Sequence, residues 1–120
     1  MMGLDMYAYA VLAERIGDEL INPALPDTDV DHDFAYWRKF HDLHHWMLGL
    51  YKERGGTGMF NGDTLRLRAA DLDRLEQDMA TWEEDEWDKD SGHFDDTRAF
   101  ITKARSAIDD GLAVLYDSCW

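Results

Sequence analysis

The chain has 120 residues and a formal net charge of -14, from 26 acidic and 12 basic side chains. This acidity opposes direct binding to nucleic-acid phosphates or to anionic lipid, and it favours a basic partner. The length suffices for one domain with a buried core, so we predict a single domain over residues 1–120.

The sequence carries no pattern of export. No run approaches the roughly 18 apolar residues of a membrane span, and the first residues lack the basic region and the cleavage site of a signal peptide. Cys119 is the only cysteine, which excludes an internal disulfide. These features predict a protein of a reducing cytoplasm, with no membrane contact.

Residues 4–13, LDMYAYAVLA, are rich in strand formers on both alternating faces and predict a central strand that is covered on both sides. The connection that follows holds both prolines and is predicted to be irregular. It carries four alternating acids, Asp27, Asp29, Asp31 and Asp33. An EF-hand would also need glycine and an acid where this chain has His32 and Arg38, so we predict a solvated acidic loop.

Segment 33–54 shows the strongest helical pattern of the chain. At 100° per residue its apolar side chains merge into an arc that covers roughly half of the cylinder. We predict one long helix, capped by Asp33, ended by Gly55 and Gly56, and packed through this arc against a sheet.

The second half of the chain alternates between short elements. Residues 64–68 predict a strand, because Leu65 and Leu67 alternate with arginines. Residues 69–82 predict a second helix, which should fray over residues 83–86, where four acids oppose the helix dipole. A third helix is predicted over about 96–110, capped by Asp95 or Asp96 and ended by Gly111, before a last strand.

The predicted order is β-α-β-α-α-β. We therefore expect an α+β fold, in which a small, mostly antiparallel sheet with the first and last strands at its centre is packed by about three helices, one of them long.

Three histidines lie close together in the long predicted helix. At spacings of three and four residues they can converge on one face, and two imidazoles with a carboxylate could hold zinc. The zincin pattern is absent, and a third ligand would have to come from a distant residue. We predict no metal, and we interpret His44 as a core histidine bonded to a backbone carbonyl or to a tyrosine. The residues considered for a metal are His41, His44, His45, Asp5, Asp117 and His93.

Aromatic bulk next to cations is typical of a nucleotide site or of a protein-binding hot spot. Asp117, inside an apolar strand, needs a partner if it is buried, for which His41, His44 or Arg38 would serve. The alternative is that the aromatic side chains are core residues and the cations are solvated. No serine or cysteine stands in a nucleophile context, so we predict no catalytic residue and no cofactor. The candidate binding residues are Tyr36, Trp37, Arg38, Lys39, His44 and Asp117.

A second candidate surface is acidic. Residues 63–96 hold 13 acids and four bases, a local balance of -9 that could occupy a cationic groove of a partner. Its candidate interaction residues are Glu83, Glu84, Asp85, Glu86, Asp88 and Asp90.

Three blocks of the sequence resemble a family of small, uncharacterised proteins of tailed bacteriophages. That family has a GLDMY start, a YWRK-x-x-x-(I/L)H-x-W core and a YYDSWW-like end, matched here by residues 3–7, 36–39, 43–44, 46, 116–118 and 120. Leu115 and Cys119 depart from the pattern at the end. The resemblance implies a phage origin and action in the bacterial cytoplasm, carries no activity that could be transferred, and gives weight to His44.

Together these observations predict a phage accessory protein that acts by protein–protein interaction through an acidic surface, antagonising a host defence or a nucleic-acid-binding machine. One alternative is a small-molecule or nucleotide site, or a small enzyme, built from Arg38, Lys39, His44 and Asp117. Another is a homo-oligomeric part with an interface at Trp82 and Trp87.

Overall fold

The computed structural model describes residues 4–82 and 93–119. It contains one antiparallel sheet of four strands, ordered β2-β1-β4-β3. The strands are β1 (Asp5–Leu12), β2 (Asp31–Arg38), β3 (Leu65–Leu67) and β4 (Leu112–Cys119). β1 pairs with β4 over its full length. The first and last strands are therefore neighbours at the centre of the sheet, and the predicted α+β class is confirmed.

In the described part of the chain, three helices cover one face of this sheet. They are α1 (His41–Glu53), α2 (Ala69–Trp82) and α3 (His93–Asp109). A single apolar cluster joins Met6 and Ala8 of the sheet to Met47, Leu75 and Ile101 of the three helices, all of which are fully buried or nearly so. Burial of this continuous core is the main stabilising contribution to the fold. None of the described helices is long and apolar enough to cross a membrane.

The second half of the chain follows the sequence prediction closely. α2 has the predicted bounds, and β3 turns Leu65 and Leu67 inward. α3 begins earlier than predicted, so Asp95 and Asp96 lie in its first turn and do not cap it, although acids there still favour the helix dipole. Gly111 has φ +90, the left-handed conformation that glycine adopts without strain, and follows α3 as predicted. The predicted fraying at 83–86 lies outside the described residues.

The prediction of one helix over residues 33–54 was wrong in its first third. Residues Asp31–Arg38 form β2, the helix begins only at His41, and Phe40 occupies the capping position assigned to Asp33. The order of elements is therefore β-β-α-β-α-α-β. Lys39, with φ 58, turns the chain from strand to helix without any glycine or proline to announce the break.

An irregularity in β2 explains the misleading helical pattern. Ala8 pairs with Ala35, but Ala10 pairs with Asp31, so a two-residue step of β1 faces a four-residue step of β2. Such a bulge redirects side chains. Phe34 consequently joins Trp37 in the core beneath the helices. Two buried aromatic residues three positions apart imitate the period of a helix.

Residues 4–82 and 93–119 cover the other face of the sheet only in part. Val11, Ala113 and Leu115 are buried there beneath side chains of the connection between β1 and β2, including Ile16 and Val30. This connection starts with a 3-10 turn (Ala13–Arg15), reaches the β3 edge and returns to β2 at the opposite edge. β1 is thus sandwiched at its C-terminal end, whereas the prediction had it covered throughout. The four alternating acids are all exposed, two in the connection and two in β2.

Candidate functional site

We call the part of the sheet surface that neither the helices nor the connection cover the open face. Strand alternation creates it, since residues flanking the buried Met6, Trp37 and Tyr116 point away from the helices. Strand register brings them side by side, with Asp5 opposite Arg38, and Tyr7 between Tyr36 and Asp117. The open face comprises Asp5, Tyr7, Tyr9, Tyr36, Arg38 and Asp117.

Aromatic rings dominate the open face. The rings of Tyr7 and Tyr36 lie 5.4 Å apart between centroids, and those of Tyr9 and His32 lie 5.2 Å apart, edge to face. Tyr36 is 53% exposed, which is high for so large a side chain. The rings border a hollow of about 470 Å³, which we call the aromatic depression. It is lined by Tyr7, Tyr9, His32, Asp33, Ala35 and Tyr36.

Two carboxylates hold the tyrosine hydroxyls in place. Tyr36 donates a hydrogen bond to Asp5 Oδ1 at 2.7 Å, and Tyr9 donates one to Asp117 Oδ2 at 3.0 Å. The bond to Asp5 is the main cause of a raised pKa at Tyr36, while burial and then the charge of Asp117 raise the pKa of Tyr9. Both phenols therefore stay protonated and act as donors, and these hydrogen bonds orient the exposed ring of Tyr36 and the half-buried ring of Tyr9.

Asp117 is half-buried, and burial raises its pKa against the opposing hydrogen bond from Tyr9. The Ser118 amide also favours the ionised form, without completing a hydrogen bond to Oδ1, which is buried and has no partner within the described parts of the chain. The prediction that His41, His44 or Arg38 would pair with Asp117 was wrong. Tyr9 is the partner, because Asp117 lies on the open face and His44 lies behind the sheet.

His44 belongs to the core between α1 and β4. Its Nδ1 lies 3.0 Å from the hydroxyl of Tyr116, and its ring stacks on Phe60 at 5.6 Å. Burial, followed by the nearby charges of His45 and His41, lowers the pKa of His44 to about 4. This is the core histidine bonded to a tyrosine that the sequence suggested. His41 and His45 are exposed, and no group of three metal-ligating side chains occurs in residues 4–82 or 93–119.

The structure divides the candidate binding residues among three places. Tyr36, Arg38 and Asp117 share the open face, and Arg38 Nε lies 3.9 Å from Asp5 Oδ1. Trp37 is buried with His44, where its Nε1 donates to Thr97 Oγ1 at 3.0 Å. Lys39 is exposed at the corner before α1.

Sequence reasoning missed Asp5, Tyr7, Tyr9 and His32 as members of this site. The sequence shows that Tyr7 and Tyr9 alternate with apolar residues, but the prediction that β1 is covered on both sides left no room for their partial exposure. Of the predicted acidic surface, residues 83–90 lie outside the described residues, as does Trp87. Trp82 is partly buried against Phe40, at 6.3 Å between rings.

A buried ion pair lies apart from the open face. Arg54 donates to Asp71 and to the carbonyl of Arg66, and both charged side chains are at most 10% exposed. Asp71 also accepts the Arg68 backbone amide at 2.8 Å, which caps the start of α2. The pair thus ties α1, β3 and α2 together, and we interpret it as structural.

Comparison of the chain with models of protein families, with curated proteins and with solved structures gave no match.

Proposed function

We propose that this chain is a binding protein that docks on a basic protein partner through the open face. The observation that carries the proposal is the pairing of the rings of Tyr7, which is half-buried, and Tyr36, which is exposed, on a sheet surface that the described residues leave uncovered. Tyrosine and arginine are the residues most enriched at the energetic centres of protein interfaces. Side chains that are already held by hydrogen bonds also lose less conformational entropy on binding.

Charge supports a basic partner. The net charge of -14 repels other acidic surfaces and steers basic ones towards the molecule. The candidate acidic residues Glu83, Glu84, Asp85, Glu86, Asp88 and Asp90 add to this field. The phage resemblance extends the proposal to a host target in the bacterial cytoplasm, such as a defence factor or a nucleic-acid-binding machine, whose cationic groove an acidic protein can occupy.

The alternative of a nucleotide site or small enzyme receives less support. It required Arg38, Lys39, His44 and Asp117 to converge, whereas His44 and Asp117 lie on opposite sides of the sheet. A cluster that is divided in this way cannot position one substrate between its members.

The experiment compares capture from bacterial lysate by three immobilised proteins: the wild type, the double variant Tyr7→Ala/Tyr36→Ala, and Met59→Ala. Met59 is 73% exposed in the loop after α1 and is the matched control for loss of an exposed large side chain. We expect the wild type and Met59→Ala to retain the same basic protein, the double variant to lose it, and high salt to weaken retention.

Capture that is identical for all three proteins would refute docking through the open face. Salt-independent capture would remove its electrostatic part. Light scattering on the purified chain tests self-association. If the wild type is a dimer and Tyr7→Ala/Tyr36→Ala is a monomer, the open face is instead a contact between copies of this chain.

A further inference from the structure

We infer that the aromatic depression is a binding site for an organic cation, the side-chain ammonium or guanidinium of a lysine or arginine on the partner. The inference rests on the proposed function and names the chemistry of the contact. Three of the six lining residues are tyrosines from adjacent strands, and their rings border a hollow open to solvent. Aromatic faces attract cations electrostatically, and several faces around one hollow reinforce each other.

The hydrogen bonds of the tyrosines strengthen this attraction. Tyr36 and Tyr9 both donate to carboxylates, at 2.7 and 3.0 Å. A phenol that donates to an anion gains electron density on its ring, and the face that a cation would contact becomes more negative. The carboxylates therefore act twice, by orienting the rings and by polarising them.

The charged side chains around the aromatic depression also favour a cation as its ligand. Asp33 is exposed on its wall, and Asp5 and Asp117 lie behind the hydroxyls of Tyr36 and Tyr9. The buried Oδ1 of Asp117 meets no donor from the described chain, so its charge is only partly neutralised. An anionic ligand such as a phosphate would be repelled by these acids. A purely apolar ligand would leave them desolvated without compensation.

Arg38 is not itself the cation that occupies the aromatic depression. It is exposed, lies 3.9 Å from Asp5 in a loose ion pair, and does not line the aromatic depression. An exposed pair of this kind contributes little and exchanges readily with solvent. A partner cation would therefore enter beside Arg38 without first displacing a strong internal bond.

Direct binding of small probes tests the inference on the intact chain. The tyrosine ring signals are followed by NMR during titration with tetramethylammonium and with N-acetylarginine amide. The neutral counterparts tert-butanol and N-acetylcitrulline amide serve as matched controls. The chain provides an internal reference, since Tyr51 and Tyr116 are buried behind the sheet while the other three tyrosines belong to the open face.

We expect saturable shifts at Tyr7, Tyr9 and Tyr36 with the cationic probes, with a Kd of the order of millimolar for so open a site, and no such shifts at Tyr51 and Tyr116. Comparing the two cations tells whether ammonium or guanidinium is preferred. Tyr36→Leu should weaken binding about threefold through loss of one ring face. Tyr36→Phe, which keeps the face, should weaken it less, and Met59→Ala not at all.

Equal shifts from the neutral probes, or none from either cation up to the solubility limit, would overturn the cation site. These outcomes are separate from the test of the proposed function. Probe binding without a captured partner would leave the cation site standing and refute the docking role. If a partner is captured in a way that depends on Tyr36 but neither cation binds, the docking role would stand and the cation site would be refuted.

Discussion

The buried histidine of α1 predicts a pH-dependent loss of stability that can be measured directly. His44 has a pKa of about 4 in the folded protein, against 6.5 as its ordinary value. Below pH 6.5, His44 therefore binds a proton in the unfolded chain but stays neutral in the folded chain until the pH approaches 4. The free energy of unfolding falls as the pH falls from 6.5 towards 4, and the loss is complete below the folded pKa.

The magnitude follows from the two pKa values. At 1.36 kcal/mol per unit, His44 should remove about 2 kcal/mol of stability between pH 7 and pH 5. Replacement by phenylalanine keeps the stacking on Phe60, removes the titration and removes the hydrogen bond to Tyr116, which costs about 1 kcal/mol. His44→Phe should thus be less stable than the wild type at pH 7 by about 1 kcal/mol and more stable at pH 5 by about the same amount.

Urea unfolding followed by tryptophan fluorescence between pH 5 and pH 8 gives both curves. The difference in the free energy of unfolding between the two proteins at each pH cancels the contributions of the other titrating groups, including Asp117. His32→Gln, which removes an exposed imidazole, is the control variant. A constant difference between His44→Phe and wild type at all pH values would show that His44 is not held neutral by burial, and the reasoning would fail.

Three further predictions follow from other contacts. Arg54→Met should lower the free energy of unfolding, measured in urea, by about 3 kcal/mol, because it leaves the charged side chain of Asp71 buried without its partner. The double variant Arg54→Met/Asp71→Leu should recover part of this loss. A double variant as unstable as Arg54→Met would contradict the prediction. Tyr9→Phe removes a hydrogen bond that lowers the pKa of Asp117, so carboxyl NMR should find that pKa higher still, and a fall would refute the pairing. Lys39→Gly should raise stability by about 0.5 kcal/mol by relieving a positive φ, measured by thermal unfolding, and a decrease would show that the corner is not strained.

The candidate site could be predicted only in fragments. Tyr36, Arg38 and Asp117 were identified from their residue types, because aromatic residues next to cations and an acid inside an apolar strand are uncommon patterns. Their real neighbours Asp5 and Tyr9 lie on β1, with Asp5 separated from Tyr36 by 31 positions and Tyr9 from Asp117 by 108. No local pattern encodes which face of a strand meets which partner, so Asp117 was paired with the wrong residues.

The amino-acid pattern alone was enough to predict five elements correctly: β1, β3, α2, most of α3 and β4. In β3 and the two helices, one regular spacing of apolar residues matches one secondary structure, since the same face must be buried along the whole element, whereas β1 and β4 are recognised as short apolar runs of strand-forming residues. It also determined that the two chain ends would pair, because they are its two most apolar strand-forming segments.

The boundary between β2 and α1, and the open face, depend on contacts that no local pattern of the sequence reveals. The bulge in β2 shifts its register against β1, and Phe34 and Trp37, three positions apart, both lie in the core. The open face exists because the connection after β1 covers one end of the sheet and stops short of Tyr7 and Tyr36. Both features arise from contacts between segments that are distant in sequence, and the free energy of those contacts outweighs the local preference of the chain.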